Sequence, residues 1–141
     1  MQLEEIVTHT GGHFRTTDLS EWERSPAPGK WSKKEILGHL IDSALNNLQR
    51  FVRGTYEERF KIVYDQDKWV SARHHQDADL NDLVALWTLL NKDLVRVFRN
   101  YPPNRIKTEC DTGKLSEEYH TMEFLAADYI VHLEHHLRQL F

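Results

Sequence analysis

Apolar positions recur at helical spacing along three stretches of the chain. Ile36, Leu37, Leu40, Ile41, Ala44, Leu48, Phe51 and Val52 follow the i, i+3, i+4 rule that lines one face of a helix. Ser32 is a fitting cap for this stretch, and Glu35 completes a capping box. Trp31 and Ile36 supply a hydrophobic staple around it, and Pro26 and Pro28 keep the approach extended. With Gly54 as a stop, the spacing predicts a helix over 33–53. A second stripe starts near Asp79 and runs through Leu80, Leu83, Val84, Trp87, Leu90, Leu94, Val97 and Phe98, until Pro102 and Pro103 close it. A third starts after Ser116, with Tyr119, Met122, Ala126, Ile130, Leu133, Leu137 and Leu140 on one face. A weaker helix is expected over 2–18, where Gly11 and Gly12 each cost roughly 1 kcal/mol relative to alanine.

Four helical segments without a convincing strand pattern argue for an all-α four-helix bundle, with residues 1–141 as a single domain. Residues 55–78 and 101–114 are too long to be simple corners. Connections of that length are often functional or cross a bundle.

Composition narrows the function classes. The chain is 40% apolar and 28% charged, with a formal net charge of −4 and no basic stripe, so nucleic-acid binding has little support. No apolar run approaches a membrane span. The acidic start MQLEEIVTHTGG lacks a signal pattern. The single cysteine, Cys110, fits a reducing cytoplasm. Glu109 and Asp111 beside it would raise its pKa, which favours an incidental thiol over a reactive one.

The histidines carry the chemical interest. The chain ends in VHLEHHLRQLF. With about 100° of rotation per helical residue, His132 and His136 lie on the same side of the Leu133 stripe, four residues apart. His135 points outward. A His-x-x-x-His pair on a helix can present two imidazoles to a divalent metal, but a histidine-rich surface strip explains the pair equally well. A site needs a third ligand. His39 is the candidate, placed on the polar flank of its helix with Ser32, Glu35, Ser43, Asn46 and Arg50. That position suits either an exposed histidine or one facing a polar cleft, not a core histidine. His9 and His13 are also four apart, but span Gly11-Gly12. His74 and His75 read as surface loop. Glu117-x-x-His120 lacks the matching second set that a di-iron bundle requires.

PGKWSKKEILGHLIDS, followed much later by YIVHLEHHLRQL, resembles the DinB/YfiT-like superfamily of four-helix-bundle metalloenzymes. The resemblance runs from about residue 25 to the end. Its marks are a Trp-Ser helix start with a histidine eight residues after the tryptophan, and a C-terminal His-x-x-x-His followed by Leu-x-Gln-Leu. It implies a metal held by His39, His132 and His136. It also implies a bundle whose second and third helices run parallel, joined by a long crossover that residues 55–78 would supply. Relatives of this kind include transferases and isomerases that use small thiols such as bacillithiol or mycothiol, and they are often homodimers.

Three neutral imidazoles leave a divalent ion, zinc or nickel, its charge and an open position. Such an ion can activate a bound water or an external thiol. The expectation is a metal-dependent hydrolase or small-thiol transferase acting on a small molecule. A non-catalytic metal- or ligand-binding module is the alternative. Asp42 and Tyr129 are candidates to orient a ligand or touch substrate, against core packing or solvation as their competing explanation. Arg50 could meet a substrate carboxylate, or be an ordinary exposed arginine.

Overall fold

A computed structural model describes residues 1–14 and 18–141. Its helices are α1 (Gln2–His13), α2 (Leu19–Glu23), α3 (Lys33–Arg53), α4 (Gln66–Arg73), α5 (Leu80–Arg99) and α6 (Met122–Leu140). The long helices α1, α3, α5 and α6 make the expected four-helix bundle. The helix expected over 2–18 ends at His13, and residues 15–17 lie outside the described residues. No described helix is long and apolar enough to cross a membrane.

Local chemistry sets the helix starts. The Ser32 hydroxyl accepts from Glu35 N, and the Glu35 carboxylate accepts from Ser32 N, closing the capping box. Asp65, Asp79 and Thr121 cap α4, α5 and α6 in the same way, each satisfying a backbone N–H that the helix leaves unpaired.

Contacts at the helix ends fix their directions. Phe51 and Phe98, near the ends of α3 and α5, have ring centroids 4.7 Å apart. At the other end the Ser32 hydroxyl donates to Gln76 Oε1 at 2.8 Å, just before α5 begins. These two helices are therefore parallel, and residues 54–79 carry the chain back along the bundle. Met122, at the start of α6, sits beside Gly54 at the end of α3, so α6 runs opposite to α3. Arg99 at the end of α5 pairs with Glu4 at the start of α1, so α1 runs opposite to α5.

The crossover is more structured than its sequence suggests. It contains β1 (Arg59–Lys61) and α4, and it ends in a short 3-10 turn at His75–Asp77. β2 (Glu109–Asp111) pairs parallel with β1 and antiparallel with β3 (Tyr119–Thr121), aligning Phe60, Cys110 and His120. Three-residue strands are too short to show alternation, which is why the sequence reads as strandless. Asp111 Oδ1 accepts from Gly113 N and Glu118 N, both at 2.9 Å, and holds the turn between β2 and β3.

The consequence for function is that α3 is covered on both faces. Leu37, Leu40, Ile41, Ala44 and Phe51 enter the apolar core with Trp87, Leu94 and Leu133. Its opposite flank, with Asp42, Ser43, Asn46, Asn47 and Arg50, is buried too.

Candidate metal centre

His39 comes from the second turn of this doubly covered helix and is fully buried. Its side chain meets His132 and His136, which are partly buried on α6. One ring nitrogen from each residue falls within a cluster in which no two are more than 4.8 Å apart. His39 Nε2 and His132 Nε2 are 3.1 Å apart. Two nitrogens bound tetrahedrally to one zinc at about 2.0–2.1 Å would be separated by about 3.3 Å, so the pair has the spacing of shared ligation. His136 Nδ1 donates to Gln139 Oε1 at 2.7 Å, which leaves its Nε2 lone pair for the cluster. Trp31 packs on His39 with ring centroids 5.0 Å apart.

Electrostatics keep these rings neutral. Burial, then the neighbouring His132 and His136, lowers the His39 pKa from 6.5 to about 3. Burial, then His136, lowers His132 from 6.5 to about 4. Burial also lowers His136, against its hydrogen bond to Gln139. Neutral imidazoles are the form that binds metal, so the donor set suits a divalent cation and repels a proton.

Several sequence expectations change here. His39 is not exposed, because Trp31 and the two α6 histidines pack against its ring. Asp42 is fully buried and makes no hydrogen bond to His39, whose Nδ1 has no partner among the described residues. The Asp42 carboxylate instead accepts from Arg73 Nη1 at 2.7 Å and from His75 Nε2 at 3.2 Å. His75 is therefore not a surface-loop residue. It is 3% exposed, and its ring lies against Gly38, where an added Cβ would come within 2.2 Å of it. Tyr129 is buried and donates its hydroxyl to Asn91 Oδ1 at 2.6 Å. Arg50 is buried, not exposed. Cys110 is fully buried in β2, and desolvation, not its acidic neighbours, is the leading cause of its raised pKa. His120 lies on β3 and bonds Glu118, so no helical Glu-x-x-His exists there. His74 and His135 are exposed.

A cleft of about 520 Å³ opens beside His136. α2 and the segment after it form one wall, through Glu21, Arg24, Lys30 and Trp31, and the crossover contributes Gln66 and Asp67. The wall turns at Pro28-Gly29, where Lys30 N bonds Ala27 O at 3.0 Å and Gly29 takes φ 78°, a conformation that favours glycine. The short α2 went unread in the sequence. Its cap, Asp18 accepting from Ser20, was the available signal.

Comparison with known proteins agrees with this architecture. The chain matches the DinB superfamily over residues 2–140. It is 25% identical over 142 residues to YfiT of Bacillus subtilis (strain 168), itself proposed to be a metal-dependent hydrolase. That alignment covers 98% of this chain and 78% of YfiT. The YfiT structure, described as an unusual four-helix bundle topology, superimposes with a TM-score of 0.86 at 24% identity, over 98% of this chain and 79% of that one. A mycothiol-dependent maleylpyruvate isomerase shares the fold with a TM-score of 0.76 at 12% identity, over 96% of this chain and 57% of the isomerase.

Proposed function

This chain belongs to the DinB superfamily, and on that premise we propose that His39, His132 and His136 hold a divalent metal ion, zinc or nickel, for a metal-dependent hydrolase. The observation that carries this reading is the convergence of three neutral imidazoles from two helices, one of which, His136, lines an open cleft. An ion bound by three protein ligands keeps an open position and supplies Lewis acidity, enough to generate a nucleophile from water or a thiol near neutral pH. The likeness to YfiT supports hydrolysis. The shared fold with a mycothiol-dependent enzyme supports transfer of a low-molecular-weight thiol as the second reading.

The chain's own residues do the positioning. His39 supplies the fully buried nitrogen of the cluster and is shielded by Trp31. Gln139 sets the tautomer of His136. Lys33 is neutralised by Glu21, and Arg24 and Lys30 outweigh Asp67, so the cleft wall carries a small positive excess that favours an anionic small molecule.

The test is turnover by zinc- or nickel-loaded protein on a panel of ester, amide and thiol-transfer substrates, before and after chelation. Activity that is lost with the metal and restored by it supports the proposal. Stoichiometric metal without turnover across the panel would make the protein a metal-binding module instead.

A further inference from the structure

Arg50 stands eleven residues after His39 on α3, about 16 Å along the helix axis. It is 8% exposed. Its guanidinium donates to Ile62 O at 2.7 Å and, at a long 3.4 Å, to Asn47 Oδ1. Its buried Nε has no partner. Lys34, which is 3% exposed, has Glu23 as its counter-ion at 3.2 Å. Arg50 has none among the described residues. Asp128 on α6 acts on it only through space, and Cys110, which also takes a hydrogen bond from the guanidinium, is held as a neutral thiol by burial. A buried cation without a counter-ion is costly, and proteins seldom keep one without a use for it.

Beside Arg50 lies a small pocket of about 100 Å³, lined by Arg50, Val63, Tyr64, Gln66, Thr112 and Lys114. Two of these residues are cations, three offer hydroxyl or amide groups, and none is a carboxylate. Gln66 also lines the larger cleft beside His136, so the two cavities share a wall.

We propose that this pocket binds an oxyanion, the carboxylate or phosphate end of the small-molecule substrate, on Arg50 and Lys114. Arg50 Nε–H and its neighbouring N–H groups form the planar fork that matches such a group, and Lys114 adds a second charge from the exposed side. Only the assignment of the anion to a substrate rests on the proposed function, because the pocket itself needs no metal.

The experiment titrates the full chain, metal-free, with inorganic phosphate and separately with acetate. The Arg50 Nε–H signal is followed by NMR in wild type, Lys114→Ala and His39→Ala, and Arg50→Gln is titrated by calorimetry. The proposal expects a saturable shift at millimolar concentration or below, with whichever anion saturates identifying the group. Lys114→Ala weakens binding roughly tenfold, the equivalent of about 1.4 kcal/mol. Arg50→Gln abolishes binding, read by calorimetry, and His39→Ala leaves it intact. No saturable binding of either anion to the wild type overturns the proposal, as does unchanged affinity in Lys114→Ala, which decides the matter even if Arg50→Gln does not fold. A wild type that takes up neither zinc nor nickel yet still binds the anion would sink the proposed function and leave this pocket standing.

Discussion

The chain carries two His-x-x-x-His pairs with closely similar local geometry. On α1, His9 and His13 bring their Nε2 atoms to 3.1 Å, with ring centroids 4.8 Å apart. On α6, the centroids of His132 and His136 are 4.6 Å apart. Both pairs face along their own helix as the i, i+4 rule requires. Yet His9 and His13 are exposed, and His13 packs against Phe141, while the α6 pair closes over a histidine delivered by a different, buried helix. Among the described residues, only the α6 pair belongs to a cluster of three possible ligands. Spacing alone thus makes two equal candidates. The fold separates them by adding a third imidazole and removing water.

The sharpest way to break this contrast is to delete one imidazole from each pair. His132→Ala should abolish metal uptake, whereas His13→Ala should leave stoichiometry and affinity unchanged. Isothermal titration with zinc reads both, and equal losses would erase the distinction. Gln139→Ala tests whether the hydrogen bond to His136 Nδ1 matters. Metal affinity should fall by about 10–100-fold, the usual weight of such outer partners, with stability little changed.

Gly38→Ala probes the burial of the third ligand. The new Cβ meets the His75 ring, so α3 and the crossover must separate, at a cost of about 1–3 kcal/mol in denaturant unfolding. No comparable change should follow Gly12→Ala, because open space surrounds that position.

Acid should distinguish the sites as well. Burial lowers the His39 and His132 pKa values from 6.5 to about 3 and about 4. Below pH 6.5 the unfolded chain therefore takes up protons that the folded chain refuses. Stability of the metal-free protein is full above about 6.5, declines as pH falls, and levels off near the folded values. His39→Gln should flatten part of that slope, measurable as the unfolding midpoint against pH. At the small end, His135→Ala should change stability by no more than about 0.5 kcal/mol, since the residue is exposed beside the cluster.

What the sequence made legible was whatever depended on near neighbours. Ser32 and Glu35 announce the start of α3, Asp79 announces α5, and the rotation per residue separates His132 and His136 from His135. The illegible part came from segments meeting across long stretches of chain. A polar flank on a helix ordinarily means solvent, but the crossover covers that flank of α3 and buries Asp42, Asn46 and Arg50. The reason lies in residues that look unremarkable by themselves. His75 fits against Gly38 and bonds Asp42, and Ile62 offers its carbonyl to Arg50. Tyr129 was a site candidate by helical position, yet Asn91 on α5 takes its hydroxyl.

The most direct test of the three-histidine centre is metal content by mass spectrometry, on tag-free protein purified without chelator, in wild type and His39→Ala. The account predicts about one zinc or nickel per chain in the wild type, or uptake of one on addition, and none in the variant. Equal metal in both, or a wild type that takes up neither ion, would contradict it.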